Sequence, residues 1–338
     1  MKNFTYYRPS TPDQAVGLLD SKWGPTELLA GGTDLLDLQK EYVAQPDKVI
    51  SLGGLGNEFR QITAQEKFPP IFVIGAGATL AQIAAESNLK KYCPALTTAA
   101  GDVGGPQIRN MGTLGGNLCQ RNRCWYFRDE HVLCLLKGGD KCYALDGENR
   151  YHAIFTKGHK CVIVNPSTLA PALIALGATA EVQGPKGKRT VPVAKLFQAP
   201  SSATEREHVL APNEMILSVK IEAPREPHNA SYEVRHKQSY DWPLVQAAVS
   251  LQMKGPTVTQ ASIVLGHVAP TPIVAEAAAK AIQGKQINET TAAAAGEAAA
   301  SLDGIKPLAQ NAYKVRLVAV AVKRALLTAA GGKKYWET

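Results

Sequence analysis

The sequence predicts an α+β fold, and three observations lead to it. Apolar, strand-like runs end in glycine turns at several places in the first two thirds of the chain. A charged, cysteine-bearing stretch interrupts that pattern after Gly115 and Gly116. The last third reads as three strands followed by Ala-rich helices, the segregated order of an α+β domain.

Taken in order, "STPDQAVGLLDS" predicts a helix. Ser10 or Thr11 can cap it, Pro12 suits the first turn, and Ala15, Val16, Leu18 and Leu19 make its apolar stripe. "PTELLAGGTDLL" is a short strand, a Gly-Gly turn and a mixed apolar run, and "DKVISLGGL" is a second strand-to-turn unit. A buried strand at 71–74 runs into a glycine turn at 75–77 and a helix capped by Thr79. The third glycine turn, at Gly115 and Gly116, reads like the other two. After the cysteine stretch, "KCVIVNPSTLAPALIALGATAEVQG" predicts a strand, a turn, a helix from 169 to 176 and another strand. "GPKGKR" is a hairpin turn and "EMILSVKIEAP" an alternating strand. The chain turns polar at 224–230, a domain boundary. "SYEVRH", "LVQAAVSLQMKG" and "TQASIVLGHVA" then form a three-stranded antiparallel sheet, and helices follow from Pro272 onward.

Composition narrows the function. The chain has 338 residues, 45% of them hydrophobic and 20% charged, which is the make-up of a folded globular protein. No apolar run approaches the ~20 residues of a membrane span. The start, "MKNFTYYRPS", carries no apolar signal core, so the expected location is cytoplasmic; export to the periplasm would need a partner subunit's signal. The net charge is +8, yet no basic run with interleaved aromatics is present, so nucleic acid is not the expected partner. An anionic cofactor and an acidic redox partner account for the charge equally well.

The glycine turns and the cysteines carry the chemistry. A strand ending in Gly-Gly presents backbone N–H groups with no side chain in the way, and such a nest holds phosphate oxygens, although many Gly-Gly turns are only tight turns. "AGGTDLL" at 30–36 and "TLGGNL" at 113–118 each place polar residues beside the glycines: Thr33 and Asp34 in one, Thr113 and Asn117 in the other. Neither is a GxGxxG turn, so a Rossmann fold is not supported. Cys124, Cys134, Cys142 and Cys161 follow the spacing C-x9-C-x7-C-x18-C, which is not the CxxC of a zinc ribbon or ferredoxin. Four clustered thiols favour a metal site over inert thiols, and soft thiolates select zinc or an iron–sulfur cluster. Cys119 reads as a bystander and Cys93 as a buried thiol. The seven histidines form no ligand pattern, and no Ser/His/Asp set or paired carboxylate is apparent, so no catalytic residue is assigned.

"LLAGGTDLL" at 28–36, "PQIRNMGTLGGNL" at 106–118 and "GHVAPTP" at 266–272, in this order, resemble the FAD-binding medium subunits of molybdenum hydroxylases. That family includes the flavin subunits of xanthine dehydrogenase, carbon monoxide dehydrogenase and aldehyde oxidoreductases. The resemblance covers nearly the whole chain. It implies a two-subdomain FAD-binding fold of the vanillyl-alcohol-oxidase (PCMH) type over 1–225, split into 1–58 and 59–225. A C-terminal α+β domain with a three-stranded sheet would follow over 228–335. It places the cofactor-binding residues at Leu29, Ala30, Gly31, Gly32, Thr33, Asp34 and Leu35, and at Thr113, Gly115, Gly116 and Asn117. Thr168 stands where the family often has an aspartate; it can hydrogen-bond but carries no charge. The segment 237–244, "KQSYDWPL", resembles a stretch near the isoalloxazine in relatives, where Tyr240 or Trp242 would cover the ring or pack in the core.

Most medium subunits lack the insertion at 119–161. "QRNRCWYFRD" and "KCYALDGENRYHAIF" resemble the aldehyde oxidoreductase version, which implies a [4Fe–4S] cluster on Cys124, Cys134, Cys142 and Cys161. The implied role is electron transfer beside a molybdopterin-binding large subunit and a [2Fe–2S] small subunit. FAD would pass electrons to a soluble acceptor. A self-sufficient flavoprotein of the same fold and a zinc-stabilised assembly scaffold are the rival readings.

Overall fold

The computed structural model describes residues 1–65, 67–237 and 240–332. Gln238 and Ser239 of the segment 237–244, and the predicted domain end at 333–335, lie outside the described residues.

The first sheet contains β1 (Thr5–Tyr7), β2 (Thr26–Leu29) and β3 (Lys48–Ser51), in the order β1-β3-β2 with every pairing parallel. Parallel neighbours need crossover connections, and α1 (Pro12–Leu18) and α2 (Leu35–Lys40) supply them. Thr11 is the cap of α1: its hydroxyl accepts from the Gln14 N–H at 3.3 Å, and Pro12 takes the first turn, where a missing N–H costs nothing.

The second sheet is antiparallel. Its strands are β4 (Ile62–Gln65), β5 (Ile71–Gly75), β6 (Thr179–Gly184), β7 (Gly187–Pro192) and β8 (Met215–Glu222), in the order β4-β5-β8-β6-β7. Between β5 and β6 the chain forms α3 (Leu80–Ala85), α4 (Ser87–Tyr92), α5 (Pro94–Asp102), α6 (Pro106–Met111), α7 (Leu114–Cys119), α8 (Trp125–Arg128) and α9 (Leu169–Ala175). Thr79 and Gln82 close a capping box on α3. Ile50, Phe72, Ile74, Leu80, Leu169 and Val219 belong to one core that joins both sheets to these helices. Each such buried side chain contributes roughly 1.5–3 kcal/mol of transfer free energy.

The third sheet corrects the prediction of three strands. It has four, β9 (Asn229–Val234), β10 (Val245–Lys254), β11 (Thr257–Gly266) and β12 (Ile273–Val274), in the order β12-β11-β10-β9. The fourth is only two residues long and lies where the sequence predicts the start of a helix. The helix α10 (Glu276–Ile282) begins after it, followed by α11 (Glu289–Ala300) and α12 (Tyr313–Ala329). Val249, Leu265, Ala295, Val322 and Leu326 form a second core between this sheet and its helices.

Two local expectations also fail. The apolar run at 161–164 is buried over 161–163 and half-buried at Val164 but joins no sheet, because its side chains pack against the cysteine segment and its one ladder-like bond is Ala153 N–H to the Val162 carbonyl. Gly115 and Gly116 do not follow a strand. They occupy the first turn of α7, whose cap is Thr113.

Candidate functional site

The glycine turns of the sequence converge. The turn after β2 lies against the end of α6, where a β-carbon on Gly31 would stand 1.8 Å from the Met111 carbonyl oxygen. Only glycine allows that approach. Gly32 adopts φ +75°, the left-handed region that favours glycine. The start of α7 is tied in turn to the loop after β5: Gly115 N–H donates to the Ala76 carbonyl at 2.8 Å, and Leu114 N–H to the Ala78 carbonyl at 2.9 Å. Gly116 is different. A β-carbon there would meet nothing within 4 Å except the Thr113 hydroxyl.

These turns form one end of a cleft of about 950 Å³. Of the residues predicted to bind cofactor, Ala30, Gly31, Gly32, Thr33, Asp34, Leu35, Thr113, Gly115, Gly116, Asn117 and Thr168 line it, whereas Leu29 does not. Leu29 instead lies beneath the turn, 3.3 Å from where a Gly32 β-carbon would be. Asn117 is buried, and its side-chain oxygen accepts from the Ser167 hydroxyl at 2.7 Å, which fixes α7 against the start of α9. Thr168 is buried at that start, and its carbonyl accepts from the Gln246 amide at 2.9 Å. Behind it the Glu233 side chain is 1% exposed. Burial and the nearby Asp102 push its carboxyl up to about 8, against the pull of Arg235 and the Thr168 hydrogen bond.

Three arginines wall the cleft, and sequence reasoning assigned none of them to the cofactor: Arg121, Arg123 and Arg206. Arg121 pairs with the buried Glu207 at 2.8 Å. Burial alone would raise Glu207, but Arg121 and the Asn122 N–H groups outweigh it and hold the carboxyl below its ordinary value. Arg123 lies 4.6 Å from the Trp242 ring centroid and 3.1 Å from the Asp34 carboxylate. Arg206 lies 4.8 Å from the ring of Trp23. Burial draws both Arg123 and Arg206 down to about 10, and neighbouring carboxylates oppose it. At the mouth, Tyr240 is 72% exposed with φ +61°, and Trp242 stands beside it. At that exposure Tyr240 does not pack in the core.

Asp34 does not do what its position as the helix cap suggests. Its side chain makes no cap hydrogen bond to α2. Its carboxylate accepts from the Arg121 N–H at 2.8 Å and from Arg128 at 2.6 Å, in addition to the Arg123 contact. The turn after β2 is thereby bonded to the root of the cysteine segment.

The four cysteines expected to act together share one small apolar core with Leu38, Phe127, Leu136 and Ile163. An interaction between the Cys161 and Cys142 thiols raises Cys161 and holds Cys142 below its ordinary value. Burial pushes Cys124 up to about 12, and the Cys142 and Cys134 thiols add to that. His152 Nε2 lies 3.1 Å from Cys124 Sγ. Cys119 and Cys93 belong elsewhere: both pack on the main core, and burial pushes each up to about 12. Among the described residues, no three His, Cys, Asp or Glu side chains are grouped to hold a metal ion.

The far side of the cysteine segment is pinned to the C-terminal domain. The Asn311 amide donates to the carbonyls of Asn149, His152 and Ala153 at 3.3, 3.2 and 2.9 Å. Lys314, 1% exposed, places its ammonium on the carbonyls of Tyr151, His152 and His267. Burial lowers Lys314 to about 7.

Residues 2–224 match the family described as the FAD binding domain in molybdopterin dehydrogenase, and residues 230–329 match the CO dehydrogenase flavoprotein C-terminal domain. The aldehyde oxidoreductase FAD-binding subunit PaoB of Escherichia coli (strain K12) is 32% identical over 320 residues, 94% of this chain and 95% of that one. The carbon monoxide dehydrogenase medium chain of Hydrogenophaga pseudoflava is 27% identical over 326 residues, 96% of each. Among solved structures, the Hydrogenophaga pseudoflava carbon monoxide dehydrogenase lacking the Mo-pyranopterin moiety of the molybdenum cofactor superposes with a TM-score of 0.73 at 26% identity, over 97% of both chains. Among the described residues, no helix is long and apolar enough to cross a membrane.

Proposed function

Because the chain belongs to the FAD-binding domain family of the molybdopterin dehydrogenases, we propose that it is the electron-transfer flavoprotein subunit of a molybdenum hydroxylase. The observation that carries this reading is the cradle at Gly32 and Gly116, opening into a cleft walled by arginines. It fits FAD on physical grounds. The space beside Gly116 is one that a β-carbon would enter, and the wall carries the cations a diphosphate requires. Bound FAD would supply one- and two-electron transfer. The chain's own residues would do the rest. The turns at 30–35 and 113–117 would bind and orient the diphosphate, Thr168 would hydrogen-bond near the flavin, and Tyr240 and Trp242 would shield the ring from water.

In this reading the division of the chain is 1–58, 59–225 and 228–335, with the insertion at 119–161. Cys124, Cys134, Cys142 and Cys161 hold a [4Fe–4S] cluster. One observation supports that: the four thiols share one apolar core. A cubane spreads its four thiolates wider than a single ion does, so a single-ion grouping is not what such a site requires. The relatives' designation as medium chains supports a complex with a molybdopterin-binding large subunit and a [2Fe–2S] small subunit.

The visible spectrum of natively purified protein tests this reading. Flavin bands, FAD released on denaturation and about four irons per chain are expected. Flavin without iron removes the cluster but leaves the subunit role. Zinc without flavin overturns both. Robust aldehyde or N-heterocycle oxidation by the pure chain, with no partner present, would replace the subunit role with a self-sufficient flavoenzyme.

A further inference from the structure

The cysteine segment begins at the wall of the cleft. Arg121 and Arg123 are its first two arginines, and both line the cavity that the glycine turns close. Their guanidinium groups are incompletely satisfied. Arg121 Nη2 and Arg123 Nε are shielded from solvent and meet no hydrogen-bond acceptor among the described residues. A buried guanidinium N–H left unpaired is costly, so such groups mark a place where an acceptor belongs.

Arg123 is the better placed of the two. Arg121 is committed to Glu207 at 2.8 Å, with its guanidinium 4.6 Å from the Phe127 ring centroid. Arg123 is held on three sides: Asp34 at 3.1 Å, Gln120 Oε1 at 3.0 Å and the Trp242 ring at 4.6 Å. Asp34 is itself part of the glycine turn, so the guanidinium stands one side-chain contact from the cradle. Its fork is fixed before any ligand arrives, and Nε is left to donate. A pre-positioned guanidinium beside a backbone nest is the arrangement that recognises a diphosphate.

We propose that Arg123 contacts the diphosphate of the dinucleotide, so that the root of the cysteine segment completes the flavin site. This rests on the FAD reading above and goes beyond it, because it assigns a cofactor contact to a residue of the insertion. Occupancy of the cleft and order in the cysteine segment are then linked, and the linkage runs both ways.

The test is FAD binding to the full-length apoprotein, followed by flavin fluorescence at several salt concentrations. Arg123→Gln removes the charge but keeps a polar, hydrogen-bonding side chain, and leaves Asp34 paired with Arg128. The expected result is an FAD Kd raised about tenfold or more, the loss of one charge-assisted hydrogen bond. The salt dependence of the Kd should flatten relative to wild type, a change that a merely structural role would not produce. Arg123→Lys, which retains the charge, should recover part of the affinity. An Arg123→Gln protein with wild-type Kd and wild-type salt dependence overturns the contact while the flavin reading stands. A wild-type apoprotein that takes up no FAD overturns both.

Discussion

The carboxylate of Asp34 and the guanidinium of Arg128, 94 residues apart in the chain, lie 2.6 Å from each other. One belongs to the glycine turn after β2 and the other to the short helix α8 inside the cysteine segment. Arg128 also reaches Asp37 at 2.7 Å and the Asn122 carbonyl at 2.9 Å, so a single side chain ties the glycine turn, α2 and the insertion together. The Asp34 and Arg128 side chains are only 18% and 14% exposed, so solvent screens the pair weakly.

Asp34→Ala should therefore act on the insertion before it acts on the core. It removes a carboxylate that serves two guanidinium groups and the Arg121 backbone N–H, and leaves the Arg123 and Arg128 charges crowded. A stability loss of about 2 kcal/mol in denaturant unfolding is expected, the scale of a charged hydrogen bond broken in a shielded place. Limited proteolysis should show earlier cutting within 120–140 than in wild type. Cutting at an unchanged rate there would mean the tie does not hold the segment.

The glycines separate structural from cofactor roles. A side chain at Gly31 must displace the Met111 carbonyl, and any residue at Gly32 inherits a left-handed backbone. Gly31→Ala and Gly32→Val should lose both stability and FAD. Gly116→Val puts its bulk mainly into the cleft and presses only on the Thr113 cap. It should weaken FAD binding more than tenfold at a stability cost of about 1 kcal/mol, the worth of a helix cap. Fluorescence titration and thermal unfolding of the three variants would check this. Equal losses of stability in all three would deny Gly116 its place beside the ligand.

How much of this was legible follows from how local each signal is. Thr11, Thr79 and the Gly31 and Gly32 pair act through their own backbone and immediate neighbours, and they read correctly from sequence. Thr113 is also a helix cap, and Pro106 opens the helix before it, yet Gly115 and Gly116 masked α7 because glycine is a poor helix former. Val162 and Ile163 looked like a strand because they are apolar, but their burial comes from the cysteine segment and not from a ladder. The strand β12 is two residues long, too short to show a period. Least legible were the polar ties. Nothing near Asp34 announces arginines some 90 residues away, and nothing near Lys314 announces carbonyls 47 to 163 residues distant.

Acid should weaken the fold through two buried histidines. His267 is held down to about 3 by burial and by the Lys314 ammonium. His208 is held down to about 4, chiefly by burial. Both are neutral in the folded chain at pH 6, whereas in the unfolded chain they begin to take protons near pH 6.5. The unfolded state thus binds more protons, so stability falls as pH drops through 6.5. It goes on falling until the folded values, about 3 and about 4, are reached. Each histidine adds a slope of up to ~1.4 kcal/mol per pH unit within that window. His267→Asn, a residue that tolerates φ +61°, should make the acid limb shallower in urea unfolding from pH 7 to pH 4. An identical slope in the variant would show that His267 is charged in the folded chain.

The cysteines divide four against two. Cys124, Cys134, Cys142 and Cys161 share the small core beside Leu38 and Phe127, while Cys93 and Cys119 pack on the main core. Serine is a poor substitute for a thiolate ligand, and cluster binding is coupled to the folding of the loop that holds it. Serine at any of the four should drop iron from about four per chain toward zero. FAD content should fall with it, because Asp34, Arg123 and Arg128 bind that loop to the glycine turn after β2. Serine at Cys93 or Cys119 should leave iron unchanged, although Cys93→Ser buries an unpaired hydroxyl and should cost about 1–3 kcal/mol of stability. The decisive pair is Cys119 and Cys161. Cys119 ends α7 within the cleft lining, whereas Cys161 shares the small core with Cys142. Iron analysis of anaerobically purified variants should find the cluster retained in Cys119→Ser and lost in Cys161→Ser. The reverse result would move the cluster site toward the glycine turns, and zinc in place of iron in all of them would remove the segment from electron transfer.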